Sequence, residues 1–173
     1  MAVPVFPQSI PAPSETCLHV RTGFDLLVHA PYAATAPLFG PNGERARAGK
    51  HWDPAFIYPQ PANDVGSDVE SSVFTVRQGP LTAVWVNTIF DIDSRHVQYV
   101  YFLPDLMVTV IDVRFKPVTA DTTEVNVVYT RTALTVAANE HVRAMSESDA
   151  NSGRDWQQAI ADYLGRSKFD GRP

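Results

Sequence analysis

The chain has 173 residues, 45% hydrophobic and 19% charged, enough for one domain whose core removes roughly 70% of the unfolded surface from water. Its net charge is -5 and its basic residues form no run beyond scattered pairs such as Arg45 and Arg47, which argues against nucleic acid and anionic membranes as partners. A single cysteine, Cys17, excludes an internal disulfide and a multi-cysteine metal site, and no apolar run approaches the ~20 residues of a membrane span.

The first thirteen residues, MAVPVFPQSIPAP, carry four prolines and lack the charged and apolar regions of a secretory signal. They read as a loose arm over 1–14 on a cytoplasmic protein, ahead of a single domain at 15–168 and a tail at 169–173. Residues 15–30, ETCLHVRTGFDLLVHA, form the first predicted strand, with Phe24, Leu26 and Val28 on one face and Asp25 and His29 on the other. Cys17 falls at its start as a small hydrophobe. Pro31 opens a short helical stretch, PYAATAPLFG, closed by Gly40 and Pro41, and NGERARAGK adds a helical turn. The segment HWDPAFIYP then places Trp52, Phe56, Ile57 and Tyr58 around Pro54 and Pro59, two prolines expected to hold it out of helix and strand.

Five strand-like runs follow, at 70–77, 81–92, 95–103, 106–118 and 123–134. Their links are short and turn-like, so the five should pair antiparallel in a meander. The end is helical: Leu134, Ala138, Val142 and Met145 form an apolar stripe that Trp156, Ile160, Tyr163 and Leu164 continue. Between them, SESDANSGRD puts Asp149, Ser152 and Gly153 where the stripe should be apolar. Either the helix breaks there, with Ser152 capping a second one, or one long helix has a polar middle. The layout predicts an α+β fold: a curved antiparallel sheet of about six strands wrapped on a long C-terminal helix ending near Leu164, with short helices after the first strand.

The chain resembles the START-like, birch-pollen-allergen-like superfamily, also called SRPBCC proteins, which includes polyketide cyclases, and within it a bacterial subgroup. The matching pieces are FDLLVHAPYAATAPLF, HWDPAFIYP, TAVWVNT, VQYVYFLP and VNVVYTRTALT, so the likeness spans about residues 18 to 166. It implies a helix-grip fold with a hydrophobic cavity between sheet and C-terminal helix. The HWDPAFIYP aromatics would then lie across the cavity mouth or close one end of the core.

Strand parity supplies candidate ligand-binding residues. Val125, Val127, Tyr129 and Arg131 share one face, as do Ala83, Trp85 and Asn87, and Val97, Tyr99 and Tyr101. With Trp52 and Tyr58 at the rim, the expected pocket is Trp52, Tyr58, Trp85, Asn87, Tyr99, Tyr101, Tyr129 and Arg131. An inward Arg131 needs a partner, either a ligand carboxylate or an internal acid such as Asp149. Asp112 and Arg114 fall on the opposite, solvated face. The five histidines lack metal-ligand spacing, and no phosphate loop, serine elbow or paired-carboxylate signature is present, so no metal, nucleotide or other cofactor is expected. His51, beside Trp52, is the candidate acid/base group. These residues suit a binding or transport protein for a small apolar or aromatic ligand, as monomer or homodimer. An enzyme of the polyketide cyclase/aromatase or aldol-condensation kind using His51, tyrosine or Arg131, and a chaperone-activator-like interaction module, are the alternatives.

Overall fold

The computed structural model describes residues 16–48, 52–60 and 68–169. His51, the arm over 1–14 and residues 170–173 lie outside the described residues. Seven strands make one antiparallel sheet: β1 (His19–Val28), β2 (Ala55–Tyr58), β3 (Val73–Gln78), β4 (Leu81–Asp91), β5 (His96–Leu103), β6 (Met107–Thr119) and β7 (Thr122–Ala133). Their order across the sheet is β1-β7-β6-β5-β4-β3-β2. The meander from β3 to β7 follows from the tight links. The first strand then pairs with the last, Phe24 opposite Val127 and His19 opposite Thr132.

The period-2 pattern decides which side is filled. Along β7 every second residue, from Thr123 through Val125, Val127, Tyr129 and Arg131 to Ala133, is buried. The helices cover that face. Helix α1 (Tyr32–Thr35), a 3-10 turn (Ala36–Phe39) and α2 (Pro41–Ala48) follow β1. Pro41 therefore starts a helix, where its fixed φ suits the first turn and its missing N–H costs nothing, instead of only closing the stretch before it. Helices α3 (Asn139–Asn151) and α4 (Gly153–Phe169) cross the concave face, both packing on β1, with α2 meeting α4.

Of the two readings of the C-terminal segment, the break is observed. Ser152 N–H donates to Asp149 O at 3.0 Å between the two helices. Ser152 does not cap α4 with its side chain, because its Oγ donates back to Ser148 O at 2.9 Å. Gly153 sits so close to β1 that a Cβ there would lie 3.0 Å from Phe24 Cδ2. The polar middle thus lets the helix bend around the strand.

Four expectations need correction. Ala55–Tyr58 is a strand after all, pairing with β3. A four-residue edge strand leaves its flanking Pro54 and Pro59 outside the ladder, so neither removes a needed donor. Cys17 is exposed ahead of β1 rather than buried on it. Leu134 is 39% exposed, because it follows the end of β7 and precedes α3. Helix α4 also runs past Leu164, to Phe169.

Candidate functional site

The sheet's concave face, α2 and the α3–α4 bend enclose a cavity of about 320 Å³. Six of the eight residues expected from the sequence line it: Trp52, Trp85, Tyr99, Tyr101, Tyr129 and Arg131. In its wall Trp85 is stacked on Tyr101 at 4.3 Å between centroids and meets Tyr99 edge-on at 6.2 Å. Adjacent strands impose this, since Trp85 pairs with Tyr101 across β4 and β5. Trp52 closes one end, its ring 5.0 Å from Trp85 and its Nε1 donating to Pro41 O at 2.9 Å. Phe56 packs on Phe74 at 5.5 Å, so the aromatics of the proline-bounded segment divide between cavity wall and core.

Arg131 has its partner inside the protein. Its Nε and Nη2 donate to the two Asp149 oxygens at 2.7 Å each, a bidentate pair. Its Nη1 donates to Thr109 Oγ1 at 2.9 Å and to the Tyr101 hydroxyl. Burial opposes the charge, but Tyr101 and Asp149 outweigh it and hold the guanidinium above its ordinary value. Asp149 reaches β7 because it lies in the helix stretch where the apolar stripe lapses. The Tyr99 hydroxyl donates to Phe39 O, and burial raises both it and Tyr129 well above the usual phenol range.

Besides the strand residues Gln78, Ile111 and Val113, the wall is completed by helical residues that strand parity does not address. Helix α2 contributes Glu44 and Arg47, and the helical bend contributes Met145, Ser152 and Trp156. Arg47 stacks over Trp156, its Cζ 4.4 Å from the ring centroid, and its Nε donates to Leu38 O at 3.1 Å. Its Nη2 lies 3.3 Å from Glu44 Oε1. Burial pushes the Glu44 carboxyl up to about 7, with Asp68 adding to the rise and Arg47 opposing it. Asp68 itself anchors α2, accepting from Asn42 N–H at 3.0 Å, where the helix dipole favours a carboxylate. The only sequence signal for Glu44 and Arg47 was their i, i+3 spacing in a helical turn.

Two expected residues stand elsewhere. Tyr58 is 60% exposed, because the β2–β3 register shifts between Phe56 and Tyr58 and turns it off the wall. Asn87 is fully buried, yet its Nδ2 donates to Val69 O at 2.9 Å and so secures the link into β3. His51, the candidate acid/base group, lies outside the described residues. Asp112 lies on the far face of the sheet, 2.7 Å from His96 Nε2. Burial pushes the Asp112 carboxyl up, but hydrogen bonds from His96, Gln98 and Arg114 prevail and hold it below its ordinary value.

No family model and no curated protein matches this sequence. Solved structures do match its shape. Norcoclaurine synthase from Thalictrum flavum, in complex with dopamine and hydroxybenzaldehyde, superposes with a TM-score of 0.58 at 11% identity, covering 100% of this chain and 99% of that one. A hypothetical protein from Helicobacter pylori gives 0.62 at 10% identity, over 94% and 96% of the two chains. Ara h 8.0201 gives 0.55 at 8% identity, over 85% and 99%. With seven antiparallel strands curled around the C-terminal helices, the chain has the helix-grip fold of the START-like, birch-pollen-allergen-like proteins.

Proposed function

We propose that the protein binds a small aromatic, largely apolar ligand in the cavity between the sheet and the C-terminal helices. The observation that carries this reading is the wall itself: Trp52, Trp85, Tyr99, Tyr101, Tyr129 and Trp156 around about 320 Å³. That volume falls in the range of small-molecule sites, and an apolar wall with few polar groups is their usual make-up. Norcoclaurine synthase holding dopamine and hydroxybenzaldehyde, both ring compounds, supports it as a use of the same fold.

A neutral fluorescent probe, N-phenyl-1-naphthylamine, tests it. Saturable emission is expected with the native protein, and Trp85→Ala should weaken binding by about 1–3 kcal/mol, the worth of a large buried aromatic contact. A probe that never saturates overturns the reading. Enzymatic use of the same cavity has one observation in its favour, the Glu44 carboxyl brought to about 7, where an acid/base group works best at neutral pH. Exchange of the α-protons of β-keto thioesters, lost in Glu44→Gln with probe binding intact, would support a catalyst; absence of exchange in the native protein removes it.

A further inference from the structure

We propose that the ligand is an aromatic acid whose carboxylate docks at Arg47 while its ring lies against Trp85 and Trp156, an assignment that rests on the aromatic-binding reading above. Two guanidinium groups line the cavity, and their hydrogen bonding differs. Arg131 spends Nε, Nη1 and Nη2 on Asp149, Thr109 and Tyr101. Arg47 uses only Nε, toward Leu38 O. Its Nη2 is buried beside Glu44 without hydrogen-bond alignment, and its Nη1 has no partner among the described residues.

Buried donors left unmet cost free energy, and a guanidinium edge matches the two oxygens of a carboxylate. The group is also preorganised: Arg47 has a side chain only 4% exposed and stacks on Trp156. A second unmet donor stands in the same wall, Trp85 Nε1. Tyr99 links the two, its ring 6.2 Å from Trp85 and its hydroxyl within the field of Glu44 and Arg47.

Glu44 makes the site proton-linked. The charges that act on it are Arg47 on its own helix and Asp68 ahead of β3; Tyr99 on β5 and Tyr129 on β7 lie within its field, with the neutralised Arg131–Asp149 pair across the cavity. Near neutral pH its carboxyl is half protonated, and each protonation leaves Arg47 uncompensated. An entering carboxylate raises Glu44 further, so the complex holds more protons than the free protein. The gain in affinity is fully present below about pH 7 and is lost as pH rises through the bound-state value.

Isothermal titration of the full chain with 2-naphthoate, 2-naphthalenemethanol and 2-naphthylmethylamine, at about pH 6 and about pH 8, tests this. The acid should bind roughly tenfold or more tightly than the alcohol at the lower pH, the worth of a charge-assisted contact, with a smaller advantage at the higher pH. Heats in buffers of different ionisation enthalpy should show proton uptake with the acid and none with the alcohol. Arg47→Met should erase the acid's advantage over the alcohol. Should that variant disturb its stacking on Trp156, Glu44→Gln gives the second readout: acid preference kept, pH dependence and proton uptake gone. Equal binding of acid and alcohol, or tightest binding of the amine, overturns the assignment while the aromatic-binding reading stands. If none of the three binds, both fall.

Discussion

At the level of single residues, Arg131 and Asp149 hold the sheet and the helical layer together by a contact that is expensive to leave half made. Asp149 is 8% exposed and Arg131 2%, so removing either partner leaves a charge with little water to receive it. Arg131→Met and Asp149→Leu should each cost about 3–5 kcal/mol in urea unfolding. The double variant should cost clearly less than the sum, since well-packed apolar residues replace such a pair at little loss. Singles that unfold like the native protein would show that the pair contributes nothing. The same bonding predicts that Arg131 changes weaken acidic and neutral probes alike, because its partner is Asp149.

Helix α2 is the element on which the polar half of the cavity depends. Its eight residues are short for an independent helix, and tertiary contacts hold it. Asp68 anchors its start, Trp52 Nε1 bonds to Pro41 O, and Arg45 donates to Pro54 O. The closest approach is at Gly43, where a Cβ would lie 1.9 Å from Pro37 O, a backbone atom that cannot step aside. Gly43→Ala should therefore destabilise by about 1–3 kcal/mol, the cost of overpacking, although alanine is the better helix former by about 1 kcal/mol. Thermal unfolding reads this directly; a variant as stable as the native protein would mean that α2 is loosely seated.

Across the whole molecule, closure depends on the two ends of the domain meeting. Strand β1 pairs with β7 between 95 and 113 positions later in the chain, and α3 and α4 both pack on β1. Ending the chain after Ser152 removes α4, with buried Ile160 and the Trp156 wall of the cavity. The concave face would then be open to water over apolar residues that the sheet alone cannot hide. Loss of cooperative unfolding and strong anilinonaphthalene sulfonate binding are expected. A truncated chain that still unfolds in one sharp transition would show that the sheet and α3 are self-sufficient.

The sequence by itself determined the repeating part of this structure. Alternation put Trp85, Tyr99, Tyr101, Tyr129 and Arg131 on the inward face, and short links made their strands antiparallel neighbours. Both rules are local, one from the backbone's twofold period and one from the reach of a tight turn. Alternation also put Asn87 inward, where it is buried, but its amide is spent on Val69 O, and Tyr58 leaves the wall because the β2–β3 register shifts beside it; neither a long-range amide bond nor a register shift leaves a mark in composition. Only the tertiary structure decided that Arg131 meets Asp149, and that α2 carries Glu44 and Arg47 to the cavity wall. Partners for buried charges depend on where one layer crosses another, which is set by the summed packing of both layers and not by any stretch read alone.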